Sequence, residues 1–193
     1  MYEQLSQYIN DCVIFNEKEI KLINESFVAE VVPKKSFLLQ AGEICDFEYF
    51  ITKGCIKSYF LDQKGDETIL TISTENWWVS DIASFYNRKP SKMYIETIED
   101  CEVLKISSEA KEKLLVEVPR LERVFRLMIQ NHLISYQNRL FANISLSAEE
   151  RYDIFLEKFP HLPQRVPQHL IASYLGISPE FLSRIRSRKA KTF

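Results

Sequence analysis

The hydrophobic period of this chain changes once, near Ser107, and that change separates what can be sheet from what can be helix. Upstream, apolar and β-branched residues come in short runs: Val31-Val32, Ser36 to Leu39, Tyr49 to Thr52, Cys55 to Leu61, Thr68 to Ser73, Tyr94 to Ile98 and Glu102 to Ile106. Many short runs with close breaks predict the strands of a sandwich or barrel. Gly42, Gly54 and Gly65 fall between runs, where a turn needs positive φ, and Lys64-Gly65-Asp66 and Thr52-Lys53-Gly54 read as hairpin tips. Trp77 and Trp78 read as core packing or a lid, because neighbours on a strand point to opposite sides.

Two short helices are expected within residues 1–30, from Leu5, Tyr8, Ile9 and Val13 and then Ile20, Ile23 and Phe27. Beyond Ser107 the period is helical. Ser107 or Ser108 can cap a helix through about Val116, and Pro119 suits the first turn of a long helix reaching Ser145. That helix carries two apolar stripes. One is Leu121, Phe125, Ile129, Leu133, Tyr136 and Leu140; the other is Val124, Leu127, Ile134 and Phe141. A single stripe is satisfied by its own domain, so the second predicts a dimer formed through Val124, Leu127, Ile134 and Phe141. After a joint near Asn143 to Ser147, a capped helix is expected from Ser147 to Phe159, ended by Pro160 and Pro163.

The stretch from Pro167 to Ile185 has the internal logic of a helix-turn-helix. A first helix starting at Pro167 would bury Leu170, Ile171 and Leu175, with small Ala172 where a second helix crosses. Gly176 suits the left-handed turn, Ile177 plugs the angle, Ser178 caps the next helix and Pro179 takes its first position. With Phe181, Leu182 and Ile185 inward, Pro179, Glu180, Ser183, Arg184, Ser187 and Arg188 remain outward. In a major groove Glu180 could accept from a cytosine amino group and Arg184 could fork onto guanine. Arg186, Arg188, Lys189 and Lys191 read as phosphate contacts, and Gln168, Ser173 and Tyr174 as backbone contacts from the first helix. Charge agrees: residues 165–193 carry +5 and residues 1–164 carry −7, a basic tail on an acidic body.

The segment IASYLGISPEFLSRIR resembles the helix-turn-helix of Crp/Fnr transcription regulators, especially the short members common in Bacteroidetes. QAGEICDFEYFITKGCIKSYF is similar to the opening of their cyclic-nucleotide-binding β-roll, and ENWWVSDIASF to the start of its phosphate cassette; the likeness runs from about Leu22 to Arg188. It implies an α+β fold: an N-terminal double-stranded β-roll, a long dimerisation helix and a C-terminal helical helix-turn-helix domain. The corresponding divisions are 1–118, 119–145 and 146–193. The implied partners are near-palindromic duplex DNA, a second copy of the chain, RNA polymerase and an unidentified small-molecule effector.

Cyclic-nucleotide binders of that family use a Gly-Glu pair and an Arg-Ser pair; the matching positions here are Ser80-Asp81 and Ser91-Lys92, with Arg88 nearby. Ser80 crowds an approach that glycine permits, and no arginine stands where a phosphate needs a fork. The favoured reading is therefore a regulator independent of cyclic AMP; the alternative is a nucleotide-dependent one in which Arg88 or Lys92 substitutes.

Cys12, Cys45, Cys55 and Cys101 form no CxxC clip, and the three histidines, His132, His161 and His169, lie beyond the expected roll. No cofactor or metal is expected, and a cupin-like enzyme, the remote alternative, lacks its histidine ligands. No stretch is long and apolar enough for a membrane span and the N-terminus has no signal-peptide pattern, so a cytoplasmic, non-catalytic protein is expected.

Overall fold

The structure, a computed structural model, describes residues 1–189. Helices α1 (Tyr2–Cys12) and α2 (Glu17–Ser26) precede strands β1 (Val28–Val32), β2 (Phe37–Leu39), β3 (Phe47–Lys53), β4 (Ile56–Leu61), β5 (Glu67–Ser73) and β6 (Trp78–Val79). After α3 (Ile82–Asn87) come β7 (Tyr94–Thr97) and β8 (Cys101–Ser107), then α4 (Ser108–Glu117) and α5 (Leu121–Ser145). The chain continues through α6 (Ala148–Lys158), α7 (Leu162–Arg165), α8 (Gln168–Leu175) and α9 (Pro179–Lys189).

The strands form two four-stranded antiparallel sheets, ordered β1-β8-β3-β6 and β2-β7-β4-β5, so the expected β-roll is present. Period-2 alternation sorts the side chains of β3 and β8. Tyr49, Ile51 and Val103 point into the roll with Ile56, Val79 and Ile95, whereas Phe50, Leu104 and Ile106 point out to α1, α2, α4 and the start of α5. With helices on one face and a sheet on the other, these strands are apolar on both sides. Gly54 turns β3 into β4 at φ +105°, and a Cβ there would come within 2.5 Å of the Cys101 sulfur and 2.9 Å of the Asp100 carbonyl. Glycine is thus required twice over, by conformation and by space.

The helix-start signals hold. Ser107 accepts from the Ala110 N–H, and Ser147 and Glu150 form a reciprocal capping box at α6. Two elements escaped the sequence reading, α3 and α7, each too short to show a period. Pro119 lies before α5 in a turn closed by Leu121 N–H to Val118 O and Glu122 N–H to Pro119 O, which delays the helix to Leu121.

The two-stripe expectation for α5 needs correction. Its first two turns are buried whichever stripe they belong to: Leu121, Val124, Phe125 and Met128 all join the helix-covered core. Val124 is therefore a core residue of the monomer and has no surface to offer a partner. Leu127 is half-buried, and beyond Met128 both stripes emerge, with Ile129, Leu133, Ile134, Tyr136, Leu140, Phe141 and Ile144 exposed. Past Met128 only the face carrying His132, Ser135 and Arg139 stays half-buried, so position along the helix joins angle around it in deciding burial.

One buried ion pair joins the roll to its helical cover. Lys111 of α4 meets Glu48 of β3 at 2.5 Å with side chains 1% and 3% exposed, donates to the Tyr86 hydroxyl at 2.8 Å and stands 3.8 Å from the Phe125 ring centroid. Removing one member of such a pair strands the other charge, at a cost of roughly 3–5 kcal/mol. Glu48→Ala is expected to lower the unfolding free energy by about that amount in a urea titration; Glu48→Leu combined with Lys111→Met should recover most of it.

Candidate nucleic-acid interface and effector cavity

Helices α8 and α9 form the turn that the sequence predicted. Gly176 sits at φ +68°, and the N–H groups of Ile177 and Gly176 bond the carbonyls of Ala172 and Ser173, a Schellman closure. Ser178 accepts from the Phe181 N–H at 3.2 Å and Pro179 opens α9. Leu170, Ile171, Ala172, Leu175, Leu182 and Ile185 are buried between the helices. On the outer side Gln168, Ser178, Pro179, Glu180, Ser183, Arg184, Ser187 and Arg188 are exposed, while Arg186 and Lys189 are half-buried. The Arg184 guanidinium lies 5.2 Å from the Phe181 ring centroid. Glu180's own backbone N–H, then the Ser178 hydroxyl, hold its carboxyl below the usual range, so it stays an acceptor.

Two of the cations read as phosphate contacts already have acidic neighbours. Arg188 pairs with Glu149, and Lys189 with Asp153 at 2.5 Å, both on α6. Surface pairs of this kind contribute about 0–1 kcal/mol, which a phosphate can displace. Lys191 lies outside the described residues.

Ser173 and Tyr174, expected to touch DNA, instead meet the roll. The Ser173 hydroxyl donates to the Glu67 carbonyl at 2.8 Å and accepts from the Ile69 N–H at 3.1 Å. Both groups belong to β5, the last strand of its sheet, so α8 closes an otherwise open edge. Tyr174 is half-buried beneath Arg139, whose guanidinium carbon is 4.2 Å from its ring centroid. Arg139 also donates to the carbonyls of Ile69 (2.8 Å), Leu70 and Tyr174 (2.9 Å). A second clamp is Arg165, which donates to Glu75 at 2.7 and 3.0 Å and to Glu99. The sequence reading missed Arg139 and Arg165, because an arginine that ties distant segments carries no local pattern. Apolar packing follows the same line: Tyr59, Ile69 and Ile72 share one cluster with Phe155, Leu170 and Ile171.

A cavity of about 270 Å³ lies between β4, β5, β6, the start of α3, and α5, α6 and α8. Of the expected effector residues only Ser80 and Asp81 reach it. Asp81 is occupied as the cap of α3: its carboxylate accepts from the Ser84 N–H at 3.2 Å and the Ser91 hydroxyl at 2.8 Å, with Ser91 buried behind it. Arg88 turns away to the Cys45 carbonyl (3.3 Å) and Asp46 (2.5 Å), and Lys92 is exposed on the outside. The five positions therefore do not converge as a phosphate cradle. Trp78 packs in the helix-covered core, while Trp77 stacks on His132 at 4.6 Å and 15° over the cavity, so the pair divides into core residue and lid.

Burial pushes the thiols of Cys45 and Cys101 up to about 11 and that of Cys55 higher still, leaving them protonated near neutral pH and unsuited to nucleophilic work. Among the described residues no group of three or more His, Cys, Asp or Glu side chains is placed to hold a metal ion, and no helix is long and apolar enough to cross a membrane.

Residues 29–117 match the cyclic nucleotide-binding domain family. The structure of FixK2 from Bradyrhizobium japonicum superposes with a TM-score of 0.76 at 18% identity, covering 86% of this chain and 85% of that one. A structure of the c-di-GMP-responsive global regulator CLP from Xanthomonas campestris gives 0.74 at 16% identity, covering 92% and 93%. These two likenesses concern the fold alone. In sequence, the chain is 26% identical over 195 residues to the fumarate and nitrate reduction regulatory protein of Vibrio cholerae, across 94% of this chain and 77% of that protein. Over most of its length the chain is thus similar to Crp/Fnr transcription regulators.

The helix-turn-helix is held to the roll by hydrogen bonds that substitution can remove singly. Ser173→Ala deletes two of them, each contributing about 1 kcal/mol, and is expected to speed amide exchange at Ile69 several-fold while leaving β3 and β8 unchanged. Burial works to raise Glu75's carboxyl, but hydrogen bonds from Arg165 and from the Gly54 N–H outweigh it and hold the carboxyl below the usual range. Such a group stabilises the folded state above its unfolded value of about 4.3 and loses that contribution as pH falls through the folded value. The Arg165 clamp should therefore open in acid and stay shut from pH 5 upward, as followed by amide exchange in α7 and α8.

Proposed function

We propose that this regulator reads DNA as a homodimer through α9 and that it does so without cyclic AMP. The observation that carries the reading is the outward face of α9, where Glu180, Ser183, Arg184 and Ser187 are exposed at the N-terminal end of a helix backed by buried Leu182 and Ile185. Near that helix end Glu180 and Arg184 would specify bases, while Arg186, Arg188 and Lys189 would set register and affinity on phosphates. Gln168 is exposed at the start of α8 and suits the DNA backbone; Ser173 and Tyr174 would reach it only if the head leaves β5.

The exposed second half of α5 supports the dimer. Ile134, Leu140, Phe141 and Ile144 are each more than half exposed, a continuous apolar surface that water disfavours and that a second α5 would cover. Relative to the sequence reading, the seam moves toward the C-terminus and loses Val124. Two heads would then sit about one turn of B-DNA apart on a near-palindromic site. RNA polymerase is the further partner this reading assigns at promoters.

Independence from cyclic AMP is supported by Asp81 and Arg88. The carboxylate that would meet a ribose hydroxyl already caps α3 and holds Ser91, and the nearest arginine is bound to Asp46.

The test is selection from a randomised duplex library at two salt concentrations, with and without cyclic AMP, alongside sedimentation. A dimer at micromolar concentration and a selected palindrome insensitive to cyclic AMP are expected. Arg184→Ala should cost about 1–3 kcal/mol on that palindrome and relax one position per half-site, whereas Arg186→Ala should weaken all sequences alike. A monomer, or equal losses for both variants on specific and random DNA, would overturn this reading.

A further inference from the structure

The cavity beneath α5 contains charges that DNA reading leaves unused. Of its two carboxylates, Glu48 is neutralised by Lys111 at 2.5 Å, and Asp81 stands at the α3 end. Two cations, Arg139 and Lys158, stand where α5, α6 and α8 meet. Among the described residues neither of them pairs with a carboxylate. Arg139 spends its terminal N–H groups on three backbone carbonyls, and its Nε is buried with no hydrogen-bond partner. Lys158 donates to the Ser135 hydroxyl at 2.8 Å and lies 5.2 Å from the Phe159 ring centroid. Burial alone pulls the Lys158 ammonium below its usual value, and it is the foremost cause of the same shift at Arg139. Arg139 is a half-buried cation without a counter-ion, Lys158 is an exposed one that also lines the cavity, and an anion between them would answer both charges.

The walls between these charges are aromatic and flat. Trp77 lies on His132, and Tyr136, Phe159, Tyr174, Met93 and Met128 also line the cavity. At about 270 Å³ the space is at the small end of ligand pockets, which run from roughly 300 to 1,000 Å³. A second nucleotide unit has no room. Asp81 repels a phosphate at the cassette end, so an anion belongs at the opposite end from that in a nucleotide-binding roll.

We propose that the cavity binds a small planar carboxylate of one or two rings, its carboxylate on Arg139 and Lys158 and its ring against Trp77, Tyr136 and Phe159. Such a ligand touches the roll, α5, α6 and α8 at once. It therefore binds the arrangement with the head docked on β5 better than one with the head released, and shifts the population toward docking.

Calorimetric titration of the full chain with 1-naphthoate tests this, in parallel with the neutral isostere 1-naphthalenemethanol and with cyclic AMP. DNA is absent, so the outcome is independent of whether α9 reads DNA. Saturable one-to-one binding of 1-naphthoate is expected, with the alcohol at least tenfold weaker and with slowed amide exchange at Ile69 in the complex. Lys158→Met, verified as folded by circular dichroism, should weaken 1-naphthoate at least fivefold without affecting the alcohol. Equal affinity for acid and alcohol, an unchanged affinity in Lys158→Met, or binding of cyclic AMP with none of 1-naphthoate would each overturn the proposal.

Discussion

Strand β5 ends its sheet, and an open edge leaves backbone N–H and C=O groups that must find water or another partner. In this protein the partners are a serine from the reading head and an arginine from the long helix. Ser173 takes the Glu67 carbonyl and the Ile69 N–H, and Arg139 takes the carbonyls of Ile69 and Leu70. Because Arg139 also holds the Tyr174 carbonyl, one guanidinium fixes roll, helix and head relative to one another. The cavity, the covered face of α8 and the direction in which α9 points all follow from how that edge is satisfied.

The structure solves two burial problems by opposite means. The β3–β8 ladder is covered on both faces, and its buried ion pair, Lys111 with Glu48, is fully enclosed. At α5 the body covers the apolar residues of the first two turns and afterwards only the face of His132, Ser135 and Arg139, leaving later apolar residues in solvent. The same helix thus belongs to the core at one end and to the surface at the other, and an isolated monomer would keep an apolar surface that folding does not satisfy.

Much of this was legible wherever a residue answers to its own backbone. Gly176 at positive φ, Ser178 and Pro179 at the start of α9, and the Ser147–Glu150 box are local requirements, and the sequence shows them directly. Strand runs were legible because short β-rich stretches and the glycine breaks between them are local too. What stayed hidden depends on distant partners. Val124 and Ile134 occupy one stripe, and only the length of the body against which α5 lies separates core from surface. Ser173 and Tyr174 sit on the polar side of α8, which in an isolated helix-turn-helix faces outward; here that side faces a strand edge 104 residues away in sequence. Asp81 and Ser91 did come together, but as a helix cap and its support, a use that residue type alone does not distinguish from ligand binding.

The acids on α6 beside the reading head carry a consequence for how it moves through a genome. Arg188 and Lys189 would adhere to any polyanion, and Glu149 and Asp153 offset part of that attraction in the free protein. The offset is the same on every sequence, so it would lower adhesion to random DNA without touching the base contacts proposed for Glu180 and Arg184. Time otherwise lost on wrong sites is returned to diffusion, and the search for an operator shortens because the head partly neutralises itself.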